Sequence, residues 1–371
     1  MGERIPVVVV GAGPAGLAAS QQLRERRVPH RVLERGDTVG HTWANLYDSL
    51  TLHTGKHMSS LPGLAFPRTA PLFLPRREFW AYLRHYAQHF KLPITTHCAV
   101  GRVIRTDARW TVHTSHGPYD ASALVIATGI VANPKRPQFP GQARFGGEIT
   151  HSVAYRRVDS YVGRRVLVVG VGNSGAEIAS ELARAGVTVS IAVRSGANVV
   201  PLTLAGLPIQ YIAHWVRKLP RAAQEGAVAL VRRLSELRRG PPVLPRPAHS
   251  PLDAIPVIGF HLVDAIGAGL IDVRPGVAEL TPDGARFTDG TVGGFDAIIC
   301  ATGYSAALDA LGPLVERDPK GFARRRDRVV SLDAPDLYFV GHNYDATGGL
   351  SNINRDARRA AHLIAGGVAR R

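Results

Sequence analysis

The apolar positions of this chain form short runs that end in glycine-rich turns. Val7–Val10 is a run of four valines before such a turn, and a helical pattern over residues 14–24 precedes an apolar segment at 31–34. Continuous apolar runs of this length are typical of strands buried in a parallel sheet. The order returns at Val166–Val169, with a predicted helix over 174–185 and a predicted strand over 188–193. The pattern therefore predicts an α/β fold with two Rossmann-like βαβ units.

Three further apolar segments also stop at a glycine, at residues 124–129, 297–303 and 337–341. Each is predicted to be a buried strand that ends beside a ligand or a crossover. The segments at 124–129 and 337–341 indicate that the N- and C-terminal thirds of the chain form one domain, with the second βαβ unit inserted between them. We therefore expect a discontinuous first domain over 1–154 and 298–371, and a second domain over 155–297.

A helical insertion is predicted at about 205–240 within the second domain. Residues 209–219 and 224–237 carry helical patterns with mixed apolar and basic faces. Such helices could form a substrate lid, pack across the cleft between domains, or contact a membrane surface. The sequence leaves the role of this segment open.

The first glycine-rich turn, residues 11–16, reads Gly-Ala-Gly-Pro-Ala-Gly. Gly11 permits a tight turn, Gly13 lets the backbone approach a pyrophosphate, and Gly16 allows close packing of helix on strand. Glu34 ends the next predicted strand, where a carboxylate would bind a ribose diol. The pattern predicts a dinucleotide site. The apolar segments at 124–129 and 297–303 both end in Ala-Thr-Gly, and as extra strands of this unit they favour FAD as its ligand.

The second glycine-rich turn, residues 170–175, reads Gly-Val-Gly-Asn-Ser-Gly. Its second strand ends at Arg194 and Ser195 without an acidic residue. A carboxylate there would repel a 2′-phosphate, whereas arginine and serine can bind one, so NADPH is favoured over NADH. Two dinucleotide sites in one chain indicate that NADPH reduces a flavin.

Composition excludes several other classes of function. The chain has 371 residues, 45% of them hydrophobic, with a formal net charge of +16. The basic residues are scattered rather than interleaved with aromatics, so we expect no nucleic-acid partner. Cys98 and Cys300 form no Cys-x-x-Cys pair, which argues against a disulfide framework, a metal site and a dithiol centre. The N-terminus leaves no room for a signal peptide, no apolar run could span a membrane, and a cytoplasmic location is expected.

Residues 145–156 fit the pattern F-x-G-x-x-x-H-x-x-x-Y-R, with His151 and Tyr155 at its fixed positions. Together with both glycine-rich turns and both Ala-Thr-Gly segments, it resembles the flavin-containing monooxygenase family, most closely the YUCCA branch, which acts on indole-3-pyruvate. The resemblance implies that NADPH reduces FAD and that dioxygen then forms a C4a-(hydro)peroxyflavin. This species would oxygenate a small organic substrate, such as an α-keto acid by oxidative decarboxylation. The resemblance does not decide between this reaction, S- or N-oxygenation, and an oxidase that releases hydrogen peroxide. It also leaves open whether the protein is a monomer or a homodimer.

The resemblance also assigns roles to individual residues. At the position of His53 the N-oxygenating members commonly have asparagine, so His53 favours the YUCCA-like branch and could move a proton near the flavin. Lys56 could bind a substrate carboxylate or the cofactor, or could be a solvated charge, and His342 and Asn343 could face the flavin. His151 and Tyr155 would order the interdomain linker and the NADP contact. The catalytic candidates are His53, Lys56 and Asn343. The cofactor-binding candidates are Gly11, Gly13, Pro14, Ala15, Gly16, Glu34, Arg35, Thr42, Trp43, Val100, Thr128, Gly129, Gly170, Gly172, Asn173, Ser174, Gly175, Arg194, Ser195, Ala301, Thr302, Gly303, Gly341, Gly349 and Leu350.

Two other classes of protein share parts of this pattern. A pyridine-nucleotide disulfide reductase has the same architecture but needs a redox-active cysteine pair, which Cys98 and Cys300 do not form. A flavin-binding regulatory protein without turnover would have no need of intact residues at both turns and at the motif between them. Both readings are disfavoured.

Overall fold

The computed structural model describes residues 3–106, 109–131, 133–345 and 348–368. They form two compact units. The first unit comprises residues 1–133, 304–344 and 348–371, and the second comprises 134–303 and 345–347. Each unit is built on its own mainly parallel sheet.

The α-helices of the described residues are α1 (Pro14–Glu25), α2 (His41–Ala44), α3 (Lys56–Ser59), α4 (Arg76–His89), α5 (Asn173–Arg184), α6 (Ile209–Val216), α7 (Arg221–Arg239), α8 (His261–Gly267) and α9 (Gly349–Val368). The strands of the first unit before the second are β1 (Glu3–Val10), β2 (His30–Leu33), β3 (Thr51–Gly55), β4 (Phe73–Pro75), β5 (Ile94–Thr95), β6 (Val100–Thr106), β7 (Arg109–Thr114) and β8 (Gly117–Ile126). Those of the second unit are β9 (Glu148–His151), β10 (Arg165–Val169), β11 (Thr188–Ala192), β12 (Val199–Val200), β13 (Thr203–Leu204), β14 (Leu207–Pro208), β15 (Val257–Ile258), β16 (Ile271–Arg274), β17 (Val277–Thr281), β18 (Gly284–Phe287), β19 (Val292–Gly294) and β20 (Ala297–Cys300). The chain then returns to the first unit with β21 (Arg325–Arg326), β22 (Val330–Ser331) and β23 (Leu337–Phe339).

The sheet of the first unit is organised around the valine run of β1. Strands β23, β8, β1, β2 and β5 are parallel neighbours in that order. Val7, Val8 and Val9 are fully buried because both faces of the sheet are covered. Helix α1 packs against α9, and the β1-α1-β2 unit confirms the expected first βαβ motif.

The sheet of the second unit has the order β16-β11-β10-β20-β9, and all four of its strand pairs are parallel. Val166, Leu167 and Val168 of β10 are fully buried. A separate antiparallel sheet of β17, β18 and β19 follows β16. The β10-α5-β11 unit is the expected second βαβ motif, so the predicted α/β fold with two Rossmann-like units is confirmed.

The unit boundaries differ from those expected from sequence. Residues 134–154 and 298–303 belong to the second unit, whereas the sequence analysis placed them in the first domain. The reason is that β9 and β20 are hydrogen-bonded to each other in the second sheet. The two Ala-Thr-Gly triplets are identical in sequence, yet residues 127–129 follow β8 of the first unit and residues 301–303 follow β20 of the second.

The predicted helical insertion contains α6 and α7. Helix α7 is 19 residues long, and none of its residues is buried. In the described part of the chain, no helix is both long and apolar enough to cross a membrane.

Candidate functional site

The three glycines of the first glycine-rich turn face different surroundings. A Cβ on Gly11, whose φ is +102°, would lie 2.8 Å from the carbonyl oxygen of Ala127. A Cβ on Gly16 would lie 1.8 Å from the carbonyl oxygen of Gly11. No atom of the described residues lies within 4 Å of such a Cβ on Gly13. Gly11 and Gly16 therefore hold the turn against the protein, and Gly13 leaves open space for a ligand.

Helix α1 begins at this open space without a side-chain cap. Its N-cap residue is Gly13, Pro14 occupies the first turn, and no side chain bonds to the free backbone N–H groups. An uncapped helix N-terminus presents donors and a partial positive charge to an anion. Pro14, Ala15 and Gly16 are buried at this end of the helix, so the predicted phosphate-binding turn has the donor set that a pyrophosphate needs.

Glu34 is fixed beside the first turn by two backbone N–H groups. Its Oε2 accepts from Ala12 at 2.8 Å and its Oε1 from Gly36 at 2.9 Å. The side chain is 8% exposed. Hydrogen bonds from two backbone donors stabilise the carboxylate and leave its remaining lone pairs for hydroxyl donors. Arg35, the next residue, is exposed.

The loop that carries Thr42 and Trp43 is attached to the same turn. The N–H of Gly40 donates to the carbonyl of Ala12 at 2.9 Å, and α2 begins directly afterwards. Trp43 meets Phe79 edge to face, with 4.5 Å between ring centroids. His41, the first residue of α2, bonds through Nδ1 to Oδ1 of Asp37 at 2.9 Å. The loop is therefore held by a side-chain contact of its own as well as by Gly40.

Arg76 supports this loop, and no sequence pattern pointed to it. The residue is 6% exposed. Nη1 donates to the carbonyls of Trp43 at 3.1 Å and Ala44 at 2.6 Å, and Nη2 pairs with Asp48 at 2.7 Å. The contacts join residues that are 28 to 33 positions apart in the chain, so local spacing carries no signal for them.

The C-terminal segment also reaches the first turn. A Cβ on Gly341, whose φ is +82°, would lie 2.9 Å from the Cβ of Ala15 and 3.4 Å from Ile353 Cγ1. The absence of a side chain at Gly341 therefore allows the chain after β23 to pass close to helix α1. Gly349 and Leu350 form the first residues of α9 and are half-buried.

Three more predicted residues lie at strand ends of the first unit. Thr128 Oγ1 donates to the carbonyl of Ala307 at 2.9 Å, and Gly129 has a φ of +67°. Val100 opens β6 and is half-buried. The Thr128 bond attaches the end of β8 to the returning chain within the first unit.

The three catalytic candidates differ in how their side chains are engaged. His53 is half-buried on β3. Lys56 Nζ donates to the backbone carbonyls of Pro67, Arg68 and Ala70 at 3.3, 2.8 and 2.5 Å. Since an ammonium group has three protons, these contacts occupy Lys56 and favour a role in holding the 67–70 loop over substrate binding. The catalytic prediction for Lys56 stays untested.

Asn343 is held in a polar cluster of the first unit. Its Nδ2 donates to Asp356 Oδ2 at 2.8 Å and to the carbonyl of Arg328 at 3.1 Å. Asp356 is fully buried and pairs with Arg328 at 3.0 Å. Burial raises the pKa of Asp356, and the bonds from Asn343 and Arg328 oppose that shift. The geometry indicates that Asn343 positions the segment after Gly341.

His342 lies in the protein core, which differs from the sequence-based expectation that it could face the flavin. Its ring lies 5.2 Å from Phe339 and 5.8 Å from Phe322 between centroids, and 1% of the residue is exposed. Among the described residues, neither ring nitrogen has a hydrogen-bond partner. Burial, with a smaller contribution from Arg325, lowers the pKa of His342 to about 3. The residue is a neutral member of the core.

The second glycine-rich turn repeats the geometry of the first. A Cβ on Gly170, with a φ of +106°, would lie 2.6 Å from the carbonyl oxygen of Ala301. One on Gly175 would lie 2.1 Å from the carbonyl oxygen of Gly170, and one on Gly172 would have no atom of the described chain within 4 Å. Helix α5 has Gly172 as its N-cap and no side-chain cap. Again the middle glycine faces open space at an uncapped helix N-terminus.

Arg194 and Ser195 follow β11 and are exposed. Within the described residues, Arg194 has no hydrogen-bonded carboxylate. The end of β11 therefore offers a positive charge and a hydroxyl, where the end of β2 offers Glu34. Ser174 stands in the first turn of α5, half-buried.

Asn173 and Thr302 have partners inside the second unit. Asn173 Nδ2 donates to the carbonyl of Pro256 at 3.1 Å, and its Oδ1 accepts from Ile258 N–H at 2.8 Å. Thr302 Oγ1 donates to the carbonyl of Lys135 at 2.6 Å, and Gly303 has a φ of +81°. Both side chains therefore brace the turns on which they lie.

His151 and Tyr155 lie inside the second unit, whereas the sequence analysis placed them on a linker. His151 is fully buried, with Nε2 3.2 Å from the carbonyl oxygen of Gly303 and Nδ1 accepting from Val153 N–H at 3.2 Å. Burial lowers the pKa of His151, which agrees with a neutral ring that donates through Nε2. Tyr155 donates to Glu181 of α5 at 3.0 Å, and burial raises its pKa. The motif thus ties β9 to the Gly303 turn and to α5.

Comparisons with known proteins agree with this geometry. A family model described as pyridine nucleotide-disulphide oxidoreductase matches residues 8–210. The chain is 35% identical over 311 residues to a probable indole-3-pyruvate monooxygenase, YUCCA1, of Arabidopsis thaliana, covering 81% of this chain and 75% of that protein. It is 37% identical over 308 residues to the indole-3-pyruvate monooxygenase YUCCA1 of Oryza sativa subsp. japonica, covering 80% and 76%.

A solved structure extends the similarity to the whole chain. A flavin-containing monooxygenase from Stenotrophomonas maltophilia superposes with a TM-score of 0.79 at 25% identity, covering 99% of each chain. The two cysteines, Cys98 and Cys300, lie in different units and are both buried. The chain belongs to the family of flavin-containing monooxygenases, oxidoreductases that use FAD and NADPH.

Proposed function

We propose that this enzyme converts an aromatic α-keto acid, with indole-3-pyruvate as the first candidate, to the acid one carbon shorter. The reaction consumes one NADPH, one proton and one dioxygen. It yields carbon dioxide, water, NADP⁺ and the shortened carboxylic acid. One oxygen atom of dioxygen enters the acid and the other leaves as water, so atoms and electrons balance.

The observation that carries the proposal is the pair of equivalent glycine-rich turns with opposite charges beside them. The first turn has the fixed carboxylate of Glu34, and the second has Arg194 without a carboxylate partner in the described residues. A ribose with two free hydroxyls suits the first, and a ribose bearing a 2′-phosphate suits the second. This difference supports FAD at the first turn and NADPH at the second.

In the first unit, Gly13 and the N-terminus of α1 bind the FAD pyrophosphate, and Glu34 binds the adenosine ribose. Gly341 allows the segment after β23 to approach α1 closely, which brings Asn343 and the start of α9 into the same unit. The positive end of α9 then stabilises negative charge nearby. When bound, reduced FAD supplies the electrons that activate dioxygen.

In the second unit, Gly172 and the N-terminus of α5 bind the NADPH pyrophosphate, and Arg194 and Ser195 bind the 2′-phosphate. Asn173 keeps the start of α5 attached to β15 through two hydrogen bonds. His151 and Tyr155 hold β9 and the Gly303 turn against this unit. Their contribution is the shape of the NADPH site rather than proton transfer.

The choice of an α-keto acid rests on the relatives named indole-3-pyruvate monooxygenase. It is also supported by His53, which stands where the N-oxygenating members commonly have asparagine. The half-buried His53 is the candidate to hold or move a proton at its imidazole during oxygen transfer.

The test compares substrates that differ in one functional group. Purified enzyme with FAD is given indole-3-pyruvate, indole-3-lactate, methyl phenyl sulfide or a tertiary amine, and NADPH use and product are measured together. We expect indole-3-pyruvate alone to give product in a ratio near one per NADPH. Turnover of the sulfide or the amine with no acid formed from the keto acid would overturn the proposed substrate class.

A further inference from the structure

The second unit contains a cavity of about 500 Å³ that the proposed reaction does not use. Helices α6, α7 and α8 and the strand pair β12–β15 contribute its walls. Much of the lining is aliphatic, as at Ile212, Val231 and Ile258. A cavity of this volume with apolar walls has the size and character of a small-molecule site.

Helix α7 presents its apolar side to this cavity without filling it. Ala227, Val228, Val231 and Ser235 recur at the spacing of one helical face and line the space. None of the residues of α7 is buried. When an apolar ligand covers such accessible apolar side chains, their removal from water makes the free energy of binding more favourable.

The charges at the cavity are balanced except for one arginine. Arg239 is paired with Asp264, and Arg246 with Glu236 at 2.5 Å. Arg232 also lines the cavity, and within the described chain it has no carboxylate partner. The site therefore combines an apolar body with one uncompensated positive charge, which complements a single carboxylate.

The cavity is separate from the second glycine-rich turn. Its lining comes from residues 197–267 and includes neither the glycines of that turn nor Arg194. Asn173 connects the two, because Pro256 belongs to the cavity wall and accepts a hydrogen bond from Asn173. A ligand could thus occupy the cavity while the turn holds a dinucleotide.

We propose that this cavity binds an apolar monocarboxylate, with its hydrocarbon or aromatic body between α6, α7 and β15 and its carboxylate on Arg232. The site goes beyond the proposed reaction and does not depend on it. Arg232 is exposed, so water screens its pairing with a carboxylate, and removing its charge should weaken binding by about 2- to 5-fold.

The test is calorimetric titration of the FAD-loaded enzyme, with and without saturating NADP⁺, using octanoate and indole-3-acetate as probes. Octylammonium and octan-1-ol are the charge controls. Val228→Trp fills the cavity, and Arg232→Gln removes its free charge. Leu230→Trp and Arg233→Gln are the matched controls, since both residues are exposed on α7 and neither lines the cavity.

We expect octanoate or indole-3-acetate to bind with or without NADP⁺, and the tighter of the two identifies an aliphatic or an aromatic ligand. Binding should be lost in Val228→Trp, weaken about 2- to 5-fold in Arg232→Gln, and persist in both controls. An unchanged affinity for NADP⁺ in Arg232→Gln shows that the unit is folded. The proposal is overturned if neither acid binds, if octylammonium binds equally well, if NADP⁺ displaces the acid, or if the two cavity variants bind like their controls.

Discussion

The carboxylate of Glu34 accepts a hydrogen bond of 2.8 Å from the backbone N–H of Ala12, the second residue of the first glycine-rich turn. The same carboxylate accepts from Gly36 at 2.9 Å. The bonds fix the acid at the end of β2 next to the turn, in the place where a ribose diol requires an acceptor. Binding of the adenosine half of FAD should therefore depend on the charge of Glu34.

Glu34→Gln tests that dependence while keeping the size of the side chain. The amide NH₂ would face one of two backbone donors, which leaves that donor unsatisfied and costs about 1–3 kcal/mol. We expect the variant to retain FAD about 10-fold less tightly, measured as the FAD released on gel filtration. Glu78→Gln, at an exposed position of α4, is the control. Equal FAD retention in both variants would contradict the assigned role.

Alanine substitutions at two glycines of the second turn should distinguish an effect on cofactor binding from an effect on stability. Gly172 has a φ of −75° and open space where a Cβ would be, so Gly172→Ala should keep its unfolding temperature within about 2 °C. The added methyl group would block the NADPH pyrophosphate. Gly175→Ala places a methyl group 2.1 Å from a carbonyl oxygen and should cost about 1–3 kcal/mol of unfolding free energy.

The measurement for these glycine variants is thermal unfolding together with NADP⁺ titration. If Gly172→Ala bound NADP⁺ as well as the unmodified enzyme does, the second turn would not be the pyrophosphate site. A fully stable Gly175→Ala would show that the close packing against Gly170 can relax.

Arg194 should set the preference for NADPH over NADH. Arg194→Glu places a carboxylate beside the 2′-phosphate and removes its partner, so the KM for NADPH should rise by about 10- to 100-fold. The KM for NADH, which has no such phosphate, should change far less. Arg157→Glu reverses an exposed charge of the same unit and serves as control. A parallel loss for both cofactors in Arg194→Glu alone would indicate damage to the fold instead.

His342 should make the protein less stable in acid. Because its pKa is lowered in the folded state to about 3, protonation favours the unfolded chain as the pH falls below the ordinary histidine pKa of 6.5. The stability is fully present above that pH and is lost progressively down to the folded pKa. At pH 5.5 the loss from this one group is about 1.4 kcal/mol.

His342→Phe removes this titration and suits the neighbouring Phe322 and Phe339. Urea unfolding at pH 7.5 and 5.5 should show a smaller difference between the two pH values in the variant. His116→Phe, at an exposed position, should leave the difference unchanged. If the His342 and His116 variants showed the same pH dependence, a buried neutral imidazole would be excluded.

Local patterns were sufficient for the parts of the fold that are built from consecutive residues. The valine run of β1, the first turn and α1 follow from apolar runs and glycine spacing, and the second βαβ unit repeats the same signals. Strand pairing was harder, because β9 and β20 are neighbours only through the tertiary structure. Their pairing moves residues 134–154 and 298–303 into the second unit.

Side-chain partners far away in the chain were not accessible from sequence. For Lys56 the sequence left open a substrate carboxylate, the cofactor or solvent as its partner, and the structure shows three contacts to the carbonyls of Pro67, Arg68 and Ala70. Arg76 supports Trp43 without belonging to any motif. The cavity beside α7 likewise requires packing between segments that no periodicity relates to each other. Where a role depends on what a side chain contacts, only the folded structure can assign it.

The most direct test of the central claim is to supply ¹⁸O₂ to the enzyme with NADPH, indole-3-pyruvate and catalase, and to analyse the acid by mass spectrometry. Catalase is needed because free hydrogen peroxide decarboxylates α-keto acids without an enzyme. We expect indole-3-acetate with one ¹⁸O atom, in equal amount to the NADPH consumed. Consumption of NADPH with no labelled acid in the presence of catalase would mean that the protein only reduces dioxygen to hydrogen peroxide, and would contradict oxygen transfer by this chain.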